Sequence, residues 1–169
     1  MCRSFIASST PTLPEDIQLR AVSVLGTNVC GLRHDNTLWC DEHATRNHAP
    51  LPTSAFSQLS VGTGYLCGLT LAGSVECWGM MTPPIYEGDI AFQQISMGST
   101  HGCGLDSSGT IHCWGGGADA GKLTAAPTGE WVQIDAGSQH TCALNSAGTV
   151  HCWGLNSKDT TVPDDLRAD

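Results

Sequence analysis

The sequence predicts an all-β fold laid out as an array of four repeats, and three observations carry that expectation. A cysteine-bracketed segment recurs as Ser138–Gly154 (SQHTCALNSAGTVHCWG), Ser99–Gly115 (STHGCGLDSSGTIHCWG) and Thr63–Gly79 (TGYLCGLTLAGSVECWG), with a worn copy at Thr27–Cys40 (TNVCGLRHDNTLWC). The first cysteines, Cys30, Cys67, Cys103 and Cys142, follow one another at 37, 36 and 39 residues, a period that marks solenoids and propellers. The composition is rich in glycine (20 of 169 residues) and poor in charge (14%) and aromatics (6%), which suits strands and turns rather than helices.

Each recurring segment reads as a β-hairpin. In the third copy a turn centred on Ser107-Ser108-Gly109 makes Asp106 and Thr110 the closing pair, and then pairs Leu105 with Ile111, Gly104 with His112 and Cys103 with Cys113. A three-residue hairpin loop needs a residue at positive φ in its last position. Gly73, Gly109 and Gly148 stand there in three copies, and Asn36, the next best residue for a left-handed backbone, in the worn one. Strand alternation puts Cys103, Leu105, Ile111 and Cys113 on one face and Gly104, His112 and Trp114 on the other. The cysteines then face each other at a non-hydrogen-bonded pair, with Cα atoms about 4.5 Å apart, at the short end of disulfide geometry. Four intra-hairpin disulfides are therefore expected: Cys30–Cys40, Cys67–Cys77, Cys103–Cys113 and Cys142–Cys152. Each should stabilise by roughly 2–3 kcal/mol. The alternative is four reduced, buried pairs, against which the fourfold recurrence of the spacing argues.

Before each hairpin lies a short apolar strand: Leu19–Val22, Phe56–Leu59, Phe92–Ile95 and Trp131–Ile134. Glycine follows at Gly62, Gly98 and Gly137, with Leu25 in that position of the first copy. After each hairpin comes a variable, proline-bearing loop, at 41–55, 80–91 and 116–130, where a repeat-specific surface would lie. The expected boundaries are 14–51, 52–87, 88–126 and 127–162 for the repeats, 1–13 for the tail of a preceding incomplete blade and 163–169 for the start of an unfinished one.

The net charge is −9, with lysine only at Lys122 and Lys158. Nucleic-acid and anionic-membrane binding need basic patches and are not expected. Nine cysteines point to an oxidising compartment, so the protein is read as extracellular or secreted. Residues 1–16 lack the apolar core of a signal peptide, which suggests a mature or excised form. No stretch is long and apolar enough to cross a bilayer as a helix.

The pattern xxIxxGxxHTCALxxxGxVxCWGxN, running from about Pro14 to Val162, resembles the β-propeller repeats of the regulator-of-chromosome-condensation family. It is most similar to the cysteine-bearing variants of secreted bacterial proteins and of plant crinkly-type receptor ectodomains. Copy one departs from it, with Asp41 and Glu42 in place of Trp-Gly. The resemblance implies four-stranded blades arranged radially, and binding rather than catalysis. Such propellers typically have seven blades. Four copies, with ends cut out of phase, read as a window from a longer array, a subunit continued by another chain, or a compact ring whose end segments share a blade.

Asn28, Tyr65, His101 and His140 stand two positions before the first cysteines. They could form a polar ring at a channel mouth; the simpler alternative is that each bonds its neighbouring blade. Two histidines without a carboxylate at fixed spacing do not make a metal site. Trp78, Trp114 and Trp153 recur and read as packing residues. Trp39 and Trp131 are not shared by all copies and are candidates for a contact surface, as are Met80 and Met81, with burial as the alternative. Cys2, lacking a partner, is a candidate free or interchain thiol. No nucleophile elbow, P-loop or zinc motif is present. No catalytic activity, cofactor or metal is expected. The expected function is an extracellular protein-binding module, with a structural subunit assembling end to end into a ring or filament as the alternative.

Overall fold

In a computed structural model, residues 17–25, 28–41, 51–79 and 83–155 are described. They form four antiparallel sheets, one per repeat. Blade 1 comprises β1 (Leu19–Leu25), β2 (Asn28–Arg33) and β3 (Leu38–Cys40); blade 2 comprises β4 (Phe56–Gly62), β5 (Tyr65–Thr70) and β6 (Val75–Gly79). Blade 3 comprises β7 (Phe92–Met97), β8 (His101–Asp106) and β9 (Ile111–Gly115), and blade 4 comprises β10 (Trp131–Ala136), β11 (His140–Asn145) and β12 (Val150–Gly154).

The hairpin register is the expected one. Cys103 faces Cys113, Gly104 faces His112 and Leu105 faces Ile111. The turn closes where Asp106 N–H donates to Thr110 C=O at 3.0 Å. The left-handed residues are Asn36 (φ 67°), Gly73 (86°), Gly109 (79°) and Gly148 (79°). All four hairpins carry their disulfide, with Cα atoms 4.0–4.1 Å apart.

Each sheet has three strands among the described residues, rather than the four that the resemblance implied. In blades 2 and 3, where the chain after the hairpin is described, the local chemistry fits this. After β9 the backbone is left-handed at Gly115, Gly116 and Gly117 (φ 82°, 87° and 51°) and continues as a 3-10 turn, Gly117–Asp119, and a short helix α1, Ala120–Leu123. After β6 the described chain resumes at Pro83-Pro84, two residues with no N–H to give a ladder. In blade 1 buried Asp41 replaces the tryptophan; its carboxylate accepts from Val29 N–H at 3.2 Å, and β3 spans three residues against five for β6, β9 and β12.

The core lies between the blades. The disulfide-bearing face of one hairpin packs on the first strand of the next blade. Cys30, Leu32, Leu38 and Cys40 meet Phe56 and Leu59; Cys67 and Leu69 meet Phe92 and Ile95; Cys103, Leu105 and Ile111 meet Trp131 and Ile134. The recurring tryptophans also tether the loops. Trp114 Nε1–H donates to Pro84 C=O at 3.0 Å and Trp153 Nε1–H to Leu123 C=O at 3.1 Å.

Candidate functional site

The first strands, β1, β4, β7 and β10, stand side by side and line a cavity of about 500 Å³. Each carries a bulge near its start, between Leu19 and Ala21, Phe56 and Gln58, Phe92 and Gln94, and Trp131 and Gln133. A first strand has a free edge, and unpaired backbone groups there need partners. The preceding blade supplies them from side chains. Gln58 holds Ile95 at both ends, accepting from its N–H at 2.9 Å and donating to its C=O at 2.9 Å. Gln94 does the same to Ile134, at 2.9 and 3.1 Å. Two residues on, Ser60 Oγ accepts from Met97 N–H at 2.9 Å and Ser96 Oγ from Ala136 N–H at 2.8 Å. Blade 1 has Ala21 in place of the glutamine, and there Arg20 reaches across to the C=O of Phe56 and Ser57 at 2.9 and 3.1 Å. The first N–H of each new blade is also taken up: Phe56, Phe92 and Trp131 donate to the C=O of the left-handed turn residues Asn36, Gly73 and Gly109, each at 2.9 Å.

The residues weighed as a polar ring, or more simply as bonds to the neighbouring blade, belong to the same joints where they are described. Tyr65, fully buried, donates from its hydroxyl to Gly98 C=O of the next blade at 2.7 Å, and burial pushes its pKa up to about 12. His101, also fully buried, bonds through Nε2 to Thr141 Oγ1 of the next blade at 2.8 Å, while its Nδ1 has no partner. Burial, and then the charge of nearby His140, hold its pKa below the ordinary 6.5. These rings lie over the turn glycines: a Cβ at Gly62 would collide with the Tyr65 ring, and one at Gly98 with the His101 ring. Neither residue is presented to solvent. His140, on blade 4, is exposed. Trp131 is buried, with its Nε1–H 3.3 Å from Pro127 C=O, and Trp39 is half-buried opposite Gly31. Cys2, Met80, Met81, the Asn28 side chain and the expected end segments 1–13 and 163–169 lie outside the described residues.

What the rim does present is a row of hydroxyls. Thr63 Oγ1–H donates to Ser99 Oγ at 2.9 Å, and Ser99 and Ser138 share a bond of 2.8 Å, beside a shallow cavity of about 290 Å³. On the outer hairpin of blade 3, the Asp106 carboxylate sits well below the usual range. The Ser108 hydroxyl is the largest cause, with His112, 2.8 Å away, and the Thr110 and Ser108 amides adding to it. Among the described residues no group of three or more His, Cys, Asp or Glu is placed to hold a metal ion. No described helix is long and apolar enough to cross a membrane.

A row of disulfide-stapled, edge-sharing β-sheets is an array of propeller blades. Residues 92–119 and 131–159, within blades 3 and 4, match the model of the regulator of chromosome condensation (RCC1) repeat. A search of curated protein sequences finds no significant match. Among solved structures, the fold is similar to the CRINKLY WD40 ectodomain of the Arabidopsis thaliana receptor kinase ACR4 (TM-score 0.66, 25% identity, 83% of this chain and 51% of that one). It is also similar to the entire ectodomain of the Physcomitrella patens receptor kinase CR4 (TM-score 0.73, 24% identity, 89% and 44%). Yeast RCC1 (Prp20), solved bound to Kap60, shares the fold alone (TM-score 0.65, 12% identity, 86% and 45%). The chain thus spans about half the length of these structures.

Proposed function

We propose that this chain is a non-enzymatic, extracellular protein-recognition module. The observation that carries the reading is the contrast between frame and loops: the hairpins and joints repeat in register and pattern, whereas 83–91 and 116–130 share neither sequence nor conformation. A rigid frame bearing divergent loops fits recognition. Two of the similar structures are receptor ectodomains, and the four disulfides suit an oxidising compartment. The test is to immobilise the whole chain, capture from the secreted proteins of its source, and map contacts by cross-linking. The expected result is one stoichiometric protein cross-linked to 83–91 or 116–130. Cross-links confined to other surfaces, or no stoichiometric partner, would count against it. A second reading, end-to-end self-association, is favoured by the faces of blades 1 and 4 that stand open among the described residues.

A further inference from the structure

Blade 4 repeats the joint-forming face of blades 2 and 3, and among the described residues this face stands open. Gln133 and Asp135 occupy the positions of Gln94 and Ser96 and are exposed. A Cβ built at Gly109 meets Trp131 of the next blade, and one at Gly73 meets Ala91 and Phe92, yet at Gly148 nothing lies within 4 Å. Cys103 and Leu105 are buried beneath blade 4, whereas their counterparts Cys142 and Leu144 are half-buried and line, with Ile134 and Val150, a cavity of about 220 Å³.

The other end of the row carries the complementary half. In β1, Val22 and Val24 stand where β10 has Ile134 and Ala136. They are 56% and 59% exposed, whereas Ile134 is buried against blade 3. An exposed apolar pair on a strand edge marks an interaction surface.

We propose that a second copy of this chain docks its blade 1 onto blade 4, head to tail, by the joint already used inside the array. The inference rests on the self-association reading and specifies its register. The Gln133 amide holds the N–H and C=O of the partner copy's strand at Val22, as Gln94 holds Ile134. The Asp135 carboxylate accepts the Val24 N–H, as Ser96 accepts that of Ala136, and an ionised acceptor strengthens this bond. The Gly148 carbonyl accepts the Leu19 N–H, as Gly109 accepts that of Trp131. The Val22 side chain enters the apolar cavity of blade 4. Such a contact is heterologous, and closes into a ring or runs on as a filament.

The test is analytical ultracentrifugation of the whole chain, of Val22→Asp and of Gln133→Glu, each alone and the two variants mixed. Both positions are exposed, so neither change should unfold a monomer, which thermal melting verifies. The wild type should associate with rising concentration. Each variant alone should associate more weakly by on the order of a hundredfold, because an unpaired charge is driven into the joint. Mixed, they should form a dimer and stop there, since Val22→Asp keeps an intact blade 4 and Gln133→Glu an intact blade 1, while the other two ends would set one carboxylate against another. A wild type that associates while both variants do so equally well would overturn this joint and leave self-association standing. A wild type that stays monomeric would overturn both. If it associates only after residues 156–169 are removed, the face belongs to the chain's own C-terminal segment and the proposal also fails.

Discussion

At His101 a single side chain ties the hairpin, the joint and the response to acid together. Its ring covers the Gly98 turn, its Nε2 holds Thr141 of the next blade, and its Nδ1 is unpartnered. The doubly protonated ring would carry an N–H on that buried Nδ1, with His140 as the nearby titratable group and the Thr141 hydroxyl as the partner of Nε2. The folded pKa is lowered below 6.5, so the unfolded chain binds the proton more readily. The stabilising contribution is therefore fully present above about 6.5 and is lost as pH falls toward and through the folded value. Melting temperatures measured from neutral pH downward should decline for the wild type, and less steeply for His101→Gln. Equal slopes would assign the acid response to another group. Asp106 is also held below its ordinary value, so its own contribution is lost only on acidification below about 3.8, under the range where the His101 response begins.

At the scale of the strand, the Gln-x-Ser pattern of β4 and β7 is a device for closing an edge. One glutamine satisfies two backbone groups of the next blade, and removing it leaves both to find water in a tight joint. Gln94→Ala should cost roughly 1–3 kcal/mol in denaturant unfolding. Gln133→Ala, at the same position on the open face of blade 4, should cost less than about 0.5 kcal/mol when measured at dilution. If the two changes cost the same, the clamp does not contribute and the sheets are held by apolar packing alone. The substitution of Asp41 for tryptophan works at this scale too. A carboxylate folded back on Val29 replaces a loop tether with a local bond, and β3 is the shortest of the strands.

Across the whole molecule, stability is a sum over joints, since each blade touches mainly its neighbours. Among the described residues, blades 2 and 3 are packed on both faces, whereas blades 1 and 4 are packed on one. Amide exchange should therefore be slowest in β4, β5, β7 and β8 and faster in β1 and β12. Uniform protection across all four blades would mean that the array opens only as a unit. Added chain concentration should slow exchange at β1 and β10 selectively if copies dock as proposed.

The hairpins were legible in the sequence because their interactions close within ten residues. The C-x9-C spacing sets the register, glycine or asparagine at the last turn position sets the hand of the backbone, and both follow from local sterics. The period also foretold a row of like units. The geometry of the joints was not legible, because they join residues 33 to 40 positions apart. Their geometry depends on how one sheet is set against the next. The repeated Q-[LI]-S and G-x-x-[YH] patterns were the available signals, and each has meaning only once a neighbouring blade is in place. The tertiary structure decided between readings that the sequence left open: Tyr65 and His101 are buried struts rather than a solvent-facing ring, and Trp131 is core. It also decided that three consecutive left-handed glycines and a proline pair interrupt what would have been a fourth strand. Local spacing determined the unit, and contacts between units determined which of its faces are left to meet something else.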